Sequence, residues 1–384
     1  VRAGSRYEPS DLAGISHFLE HTVFKGTKNR TTYDIASSLE NVGGSLNAFT
    51  TKEYTCYHAR FLSEYLPEAV DILSDILLHP TFPENEIERE KSVVLDELRD
   101  SMDVPEEVAF DTFELFLYPN NSLGDPILGR EETINNFNPD KLESYLDKHY
   151  GPKNTIIIAA GYVDHDELVK LIQDHYDRAN REENSFESYD PSSYNPGLEV
   201  RNKDIQQSHL ITGLPIFSVY DDRRYDIAVL NSILSGGMSS RLFQNIREAH
   251  GVAYQIFSFV NLYRDTGSFG IYLATDPAKR DLALELTHYE LRQMVDKPVN
   301  SDELERVKAQ YKSGVVMGDE SMERRMMRLG RQQIYYGENI SLDMFLEKIE
   351  EIDVERIQSL ARELFDPKMF FTSILEPVNG QALT

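Results

Sequence analysis

The chain of 384 residues carries a formal net charge of -26, is 40% hydrophobic and 27% charged, and has one cysteine. This length predicts two or three domains and the apolar content excludes a disordered chain, while the acidity argues against nucleic acid and favours a basic or unfolded peptide as ligand. Cys56 alone excludes an internal disulfide and a thiolate-built zinc cluster and predicts an intracellular, cytoplasmic protein; no apolar run is long enough to span a membrane.

The opening VRAGSRYEP, with no initiator methionine, reads as the tail of a strand followed by a loop, so an earlier strand or leader is expected ahead of it. Asp11 is the expected N-cap of a helix over 12–24 that ends near Gly26, with Leu12, Ile15, Phe18 and Leu19 as its apolar stripe. Thr31 or Thr32 caps a second helix over 33–42, stopped by Gly43 and Gly44. The alternation in SLNAFTTKEYTCYHARF predicts a hairpin over 45–61 with its turn near Thr51 and Lys52. Helices are expected at 66–77 and, after Pro80 and Pro83, at 84–102, where Ile87, Val94, Leu95 and Leu98 turn inward. Helices over 106–117 and 139–150, a buried strand over 154–161 (NTIIIAAG) and a helix over 167–177 complete the first half. A stretch dense in Ser, Asn, Asp and Pro, roughly 182–198, reads as a linker.

The second half repeats the plan. The strand SHLITGLPI leads to a helix over 224–234, a break at Gly236 and Gly237, a helix over 240–248 and a hairpin over 251–273. Helices over 278–294 and 301–317 follow, and MFFTSILEP is the counterpart of NTIIIAAG. Laying DLAGISHFLEH on DIAVLNSILSG puts Ser232 opposite His17, Ser235 opposite Glu20 and Gly236 opposite His21. The expected fold is therefore α+β, with two structurally similar domains, each a mostly antiparallel sheet packed against helices. Residues 1–185 form the first domain, 186–198 the linker and 199–384 the second.

His17 and His21 stand four apart and share a helix face, with Glu20 beside it. This resembles the inverted zinc-peptidase signature H-x-x-E-H; two ordinary helix histidines are the plain alternative. A hydrolytic zinc site needs a third protein ligand and an open position. Glu97, 76 positions after His21, is the best candidate, with Glu90 seven residues before it on the same face and Glu86 and Glu88 as competitors.

From RAGSRYEP through AGISHFLEHTVFKGT and LENVGGSLNAFTTKE to IEREKSVVLDEL, the chain resembles the pitrilysin/insulinase peptidases. The likeness extends to their short-chain group, which includes the catalytic subunit of the mitochondrial processing peptidase and bacterial homologues. The resemblance implies one zinc ion per chain on His17, His21 and Glu97, with Glu20 as catalytic base and Glu90 supporting the site. It also implies substrate contacts at Asn47, Ala48 and Phe49, where a peptide adds to a strand edge. From the second half it brings Arg247 and Tyr254 to the substrate carbonyl. The expected protein is a zinc metalloendopeptidase acting on peptides or short unfolded segments inside a closed chamber made by a homodimer. The alternatives are a non-catalytic partner or structural subunit on the same scaffold, or a processing peptidase for one specific precursor. His149, His165 and His175 stand in no ligand spacing with carboxylates, and His58, on the strand TCYHARF, is expected to be structural, with a place near the site as the alternative.

Overall fold

The helical and alternating stretches fold, in chain order, into α1 (Ile15–Thr22), α2 (Thr32–Glu40), β1 (Ser45–Thr50), β2 (Thr55–Arg60), α3 (Leu66–Leu78), α4 (Glu84–Asp103), α5 (Pro105–Leu117), α6 (Glu131–Asn135), α7 (Pro139–His149) and α8 (His165–Tyr176). They continue as β3 (Gly197–Lys203), β4 (Ser208–Ile216), α9 (Arg224–Ser235), β5 (Ala253–Leu262), β6 (Gly267–Thr275), α10 (Arg280–Asp296), α11 (Ser301–Gly318), α12 (Met322–Tyr336), α13 (Leu342–Glu350), α14 (Val354–Leu364) and β7 (Phe371–Pro377). This computed structural model describes residues 1–176 and 184–378.

The elements divide between two compact units. Unit 1 takes Val1–Asp103, Asn120–Glu187 and Ser321–Ile334; unit 2 takes Val104–Pro119, Ser188–Glu320 and the described chain from Tyr335 onward. In unit 1 the stripe Ile15, Phe18 and Leu19 of α1 is fully buried, in one cluster with Ile87, Val94 and Leu98 of α4 and Leu142 and Tyr145 of α7. Each such side chain stabilises the unit by about 1.5–3 kcal/mol through burial. Beside α1 lies the antiparallel hairpin of β1 and β2, in register from Ser45 opposite Arg60 to Thr50 opposite Thr55. No described strand pairs with the other edge of β1. Strands alternate faces, so Leu46, Ala48 and Thr50 share one face of β1 with Thr55, Tyr57 and Ala59 of β2.

In unit 2 a five-stranded sheet has the order β3-β7-β4-β6-β5, antiparallel except for the parallel pair of β3 and β7. Leu210, Phe269 and Ile271 from its strands join Ile227, Leu230 and Leu234 of α9 and Ile357 of α14 in one core. The α+β expectation of helices packed on mostly antiparallel sheets holds.

Local departures have local causes. The run over 154–161 forms no strand; Ile157 is 41% exposed there, and Asn154 spends its carbonyl on the Arg2 N–H at 2.7 Å. The chain start is not a strand tail either, although Val1 exchanges two backbone hydrogen bonds with Thr55. In the expected linker β3 already begins at Gly197, because GLEVRNK finds β7 as a partner. The expected helix over 240–248 winds as a π-helix over Phe243–Ala249. The expected helix end at Asp177, linker residues 182 and 183, and the stretch 379–384 of the second domain lie outside the described residues.

Candidate metal centre

Helix α1 is only eight residues long, and both ends are fixed by side chains from elsewhere in the chain or from the helix itself. Asp11 does not cap it. Its N-cap is Gly14, at φ +92°, where a Cβ would sit 2.6 Å from the Leu128 carbonyl oxygen. That left-handed entry and close approach require glycine. The capping acceptor is Glu8: its Oε2 accepts from the Gly14 N–H at 2.6 Å and its Oε1 from the Ser16 N–H at 2.7 Å. A carboxylate on those unsatisfied donors also sits at the favourable end of the helix dipole. At the other end, the Thr22 hydroxyl donates back to the Phe18 and Leu19 carbonyls.

On this helix His17 and His21 face each other with ring centroids 4.6 Å apart. Helix α4 brings Glu97 against both: Oε1 lies 3.7 Å from His17 Nε2 and Oε2 lies 3.6 Å from His21 Nε2. The three residues offer ligand atoms that all lie within 4.8 Å of one another. Among the described residues no other such group of His, Cys, Asp or Glu occurs. Glu86 and Glu88 do not compete; they pair with Arg89 and Lys91 along the exposed side of α4.

The donor set fits zinc. Two imidazoles and a carboxylate are an established hydrolytic set, and ligands about 2.0–2.2 Å from a zinc ion stand roughly 3.3–3.6 Å apart in a tetrahedron. The Nε2-to-carboxylate separations are close to that edge and longer than a hydrogen bond. Glu90 Oε1 lies 2.8 Å from His21 Nδ1, which takes the proton onto that nitrogen and leaves Nε2 with its lone pair toward the site. Lys25 in turn lies 2.7 Å from Glu90 Oε2. Among the described residues His17 has no such support, and its buried Nδ1 has no hydrogen-bond partner.

The charge states follow. Burial, reinforced by neighbouring His21, pushes the His17 pKa down to about 3, so the ring is neutral and available as a ligand. Burial also opposes charge on His21, but the Glu90 bond and the charges of Glu90, Glu97 and Glu20 outweigh it and raise its pKa. For Glu90 burial is outweighed by its bonds to His21 and Lys25, which hold the carboxyl below its usual range. Burial raises Glu20, against the Thr50 hydrogen bond and His21, while Glu97 adds to the rise. Glu20 Oε2 accepts from the Thr50 hydroxyl at 2.5 Å.

A donor group able to hold a cation, beside a carboxylate whose affinity for a proton is raised, is an arrangement suited to metal-assisted hydrolysis. Sequence comparison points the same way. The family description "Insulinase (Peptidase family M16)" matches residues 1–131, and "Peptidase M16 inactive domain" matches residues 136–311. The chain is 38% identical over 374 residues to the "Uncharacterized zinc protease YmxG" of Bacillus subtilis, covering 95% of this chain and 89% of that one. The chain belongs to the insulinase family, peptidase family M16. An "Uncharacterized zinc protease" of Rickettsia felis is 37% identical over 368 residues, covering 95% of this chain and 88% of its own. Among solved structures, a protease from Helicobacter pylori superposes with a TM-score of 0.89 at 21% identity, over 98% of this chain and 92% of that chain. The M16 inactive domain from Pseudomonas fluorescens gives 0.89 at 17% identity, over 99% and 92%. At those identities the structures attest the shared fold.

The remaining expected M16 site residues fall in two places. Asn47, Ala48 and Phe49 lie on β1 beside α1; Asn47 Oδ1 accepts from the Ala48 N–H at 2.9 Å, and Phe49 packs edge-on against Tyr54 and His58. Arg247 and Tyr254 belong to unit 2, where the guanidinium lies 4.4 Å over the Tyr254 ring. Tyr254 is 79% exposed, which rules out a core role. Sequence reasoning missed Glu8, Lys25 and Thr50. Lys25 had a signal, four residues after His21; Thr50 had one in its alternation with Ala48; Glu8, outside the helix it caps, had none.

Proposed function

We propose that this M16 chain is a zinc-dependent endopeptidase hydrolysing peptides or short unfolded protein segments. The observation that carries the reading is the cluster of His17, His21 and Glu97 with Glu20 one residue from a ligand. Zinc held by those three residues would act as a Lewis acid toward the peptide carbonyl and lower the pKa of water. Glu20 takes the proton of the attacking water and returns it to the departing amine nitrogen. Glu90 fixes the tautomer and direction of His21, and Lys25 fixes Glu90. The open edge of β1 at Asn47, Ala48 and Phe49 accepts the substrate main chain as an added strand. Arg247 and Tyr254 supply donors that hold the substrate carbonyl.

The division of labour is a zinc-bearing catalytic domain, residues 1–185, and a homologous domain, residues 199–384, that contributes substrate contacts through a linker at 186–198. Two chains pair as a homodimer around a closed chamber, by analogy with the long-chain members of the family that carry four such domains in one polypeptide. The net charge of -26 favours basic peptides, and the single cysteine favours the cytoplasm. No described helix is long and apolar enough to cross a membrane. A non-catalytic partner subunit would have no use for all four of His17, Glu20, His21 and Glu97, and their retention favours the enzyme.

The test is metal analysis of the purified protein alongside cleavage of a quenched basic peptide, with and without a chelator. One zinc per chain and chelator-sensitive cleavage are expected. Full zinc occupancy with no cleavage of this peptide or of a mixed unfolded-peptide pool would sink the reading.

A further inference from the structure

We propose that Thr50 is a positioning residue that holds Glu20 in the orientation needed to accept a proton, and so ties the general base to the strand that receives substrate. The inference rests on the endopeptidase reading above. Its Oγ1 donates to Glu20 Oε2 at 2.5 Å, the one hydrogen bond that the described residues give that carboxylate. Among the described residues no donor reaches Glu20 Oε1, which can take a proton from water. An ionised carboxylate only accepts, so the hydroxyl must donate.

The surroundings leave that hydroxyl little choice. Thr50 is β-branched and sits in a paired strand opposite Thr55, which restricts its χ1. The neighbouring Thr55 hydroxyl, 3.4 Å away, already donates to the Ala3 carbonyl at 2.8 Å. Behind it the Tyr57 and Tyr150 hydroxyls bond each other at 3.1 Å. None of these groups is a cation that could hold Glu20 by charge instead. Thr50 lies two residues along β1 from Ala48, on the strand whose outer edge has no described partner. A peptide that pairs with this edge orders the same strand that aims the base.

Unit 2 supplies a comparison. Ser235 of α9, which the sequence superposition places opposite Glu20, bonds Ser258 of β5 through their hydroxyls at 2.7 Å. A helix-to-strand hydroxyl link therefore occurs in both units, and in unit 1 one end of it is a carboxylate.

The experiment compares Thr50→Val, Thr50→Ser and the wild type in steady-state cleavage of the quenched peptide, with zinc content and thermal midpoint measured on each protein. The valine keeps the shape and removes the donor. It should lower kcat by about 10- to 100-fold, within the range for misaligned acid–base groups, with KM and zinc content unchanged. The serine should recover kcat to within about threefold. Should the valine protein not fold, Thr50→Ala takes its place with the same expectation. A donor-less variant as fast as the wild type overturns the proposal, as does a serine variant as slow as the valine one, which would assign the effect to the methyl group. A change in KM or zinc content alone also overturns it. A zinc-loaded wild type that cleaves nothing overturns the endopeptidase reading and this inference together, whereas an active wild type indifferent to Thr50 overturns only the latter.

Discussion

Helices α1 and α9, which the sequence superposition lays on one another, bury the same kind of face. In α1, Ile15, Phe18 and Leu19 point into the core of unit 1; in α9, Ile227, Leu230 and Leu234 point into the core of unit 2. They part at the polar positions. Where α1 carries His17, Glu20 and His21, α9 has Ser232, whose hydroxyl turns back to the Ala228 carbonyl at 3.0 Å, then Ser235, then Gly236. The helices packed on them differ likewise: α4 offers Glu90 and Glu97 to α1, while α11, packed on α9, buries Lys308 with its Nζ on the Glu350 carbonyl. Apolar burial sustains each helix pair whatever stands at those polar positions. The proposed metal chemistry depends on the handful of side chains at those positions.

The sharpest way to break this contrast is Glu20→Gln, which takes the basic group out of α1 and leaves its packing alone. We expect turnover to fall about 10²- to 10⁴-fold with one zinc per chain retained, measured by single-turnover cleavage and metal analysis. Loss of zinc instead would make Glu20 a ligand and undo its assigned role. Next in size is Glu90→Gln, which weakens the hold on His21. Zinc affinity should drop about 10- to 100-fold in competition with a chromophoric chelator, and Lys25→Met should follow in the same direction by less. An unchanged affinity would reduce the Glu90 contact to packing.

Acid separates the units through two buried aspartates. Asp75 of α3 is desolvated, but bonds from Thr27, Arg30 and Asn29 outweigh that and hold its carboxyl below the usual range. Its folded pKa is depressed, so its stabilisation is present above the unfolded value of about 4 and lost as pH falls through the folded one. Asp226 of α9 is raised by burial in spite of Arg356. Its contribution is present below about pH 4 and lost as pH rises through its folded value. Asp75→Asn should therefore cost roughly 2–3 kcal/mol at pH 7, as a buried charged hydrogen bond does. The gap to wild type should shrink toward pH 3 in denaturant titrations, and a gap that does not narrow would refute the assignment. Smallest of all, Ser235→Ala should cost about 1 kcal/mol or less and leave zinc binding and turnover as they are.

Much of the site was legible because its spacing is helical. His17, Glu20 and His21 announce one face, and Glu90 and Glu97 stand two turns apart on a helix with an evident apolar stripe. The hairpin beside them followed from alternation alone. What escaped depended on partners distant in sequence. The Thr50 bond to Glu20 spans 30 residues, and Glu8 reaches α1 from outside any helical period. The run NTIIIAAG has the composition of a buried strand, yet no described strand pairs with it. Strand β3 was unread because a stretch rich in Pro and Asn runs straight into it.

The brevity of α1 has a consequence of its own. Helices under about 12 residues do not persist in water unaided, so its eight residues are helical only while Glu8, the β1–β2 hairpin and α4 enclose them. The three donors converge in the folded chain and scatter in the unfolded one. A bound ion would therefore weight the folding equilibrium of unit 1 by mass action, while unit 2 would have no such ligand among the described residues. Metal supply would then govern how long the catalytic half of the protein survives, as well as whether it works.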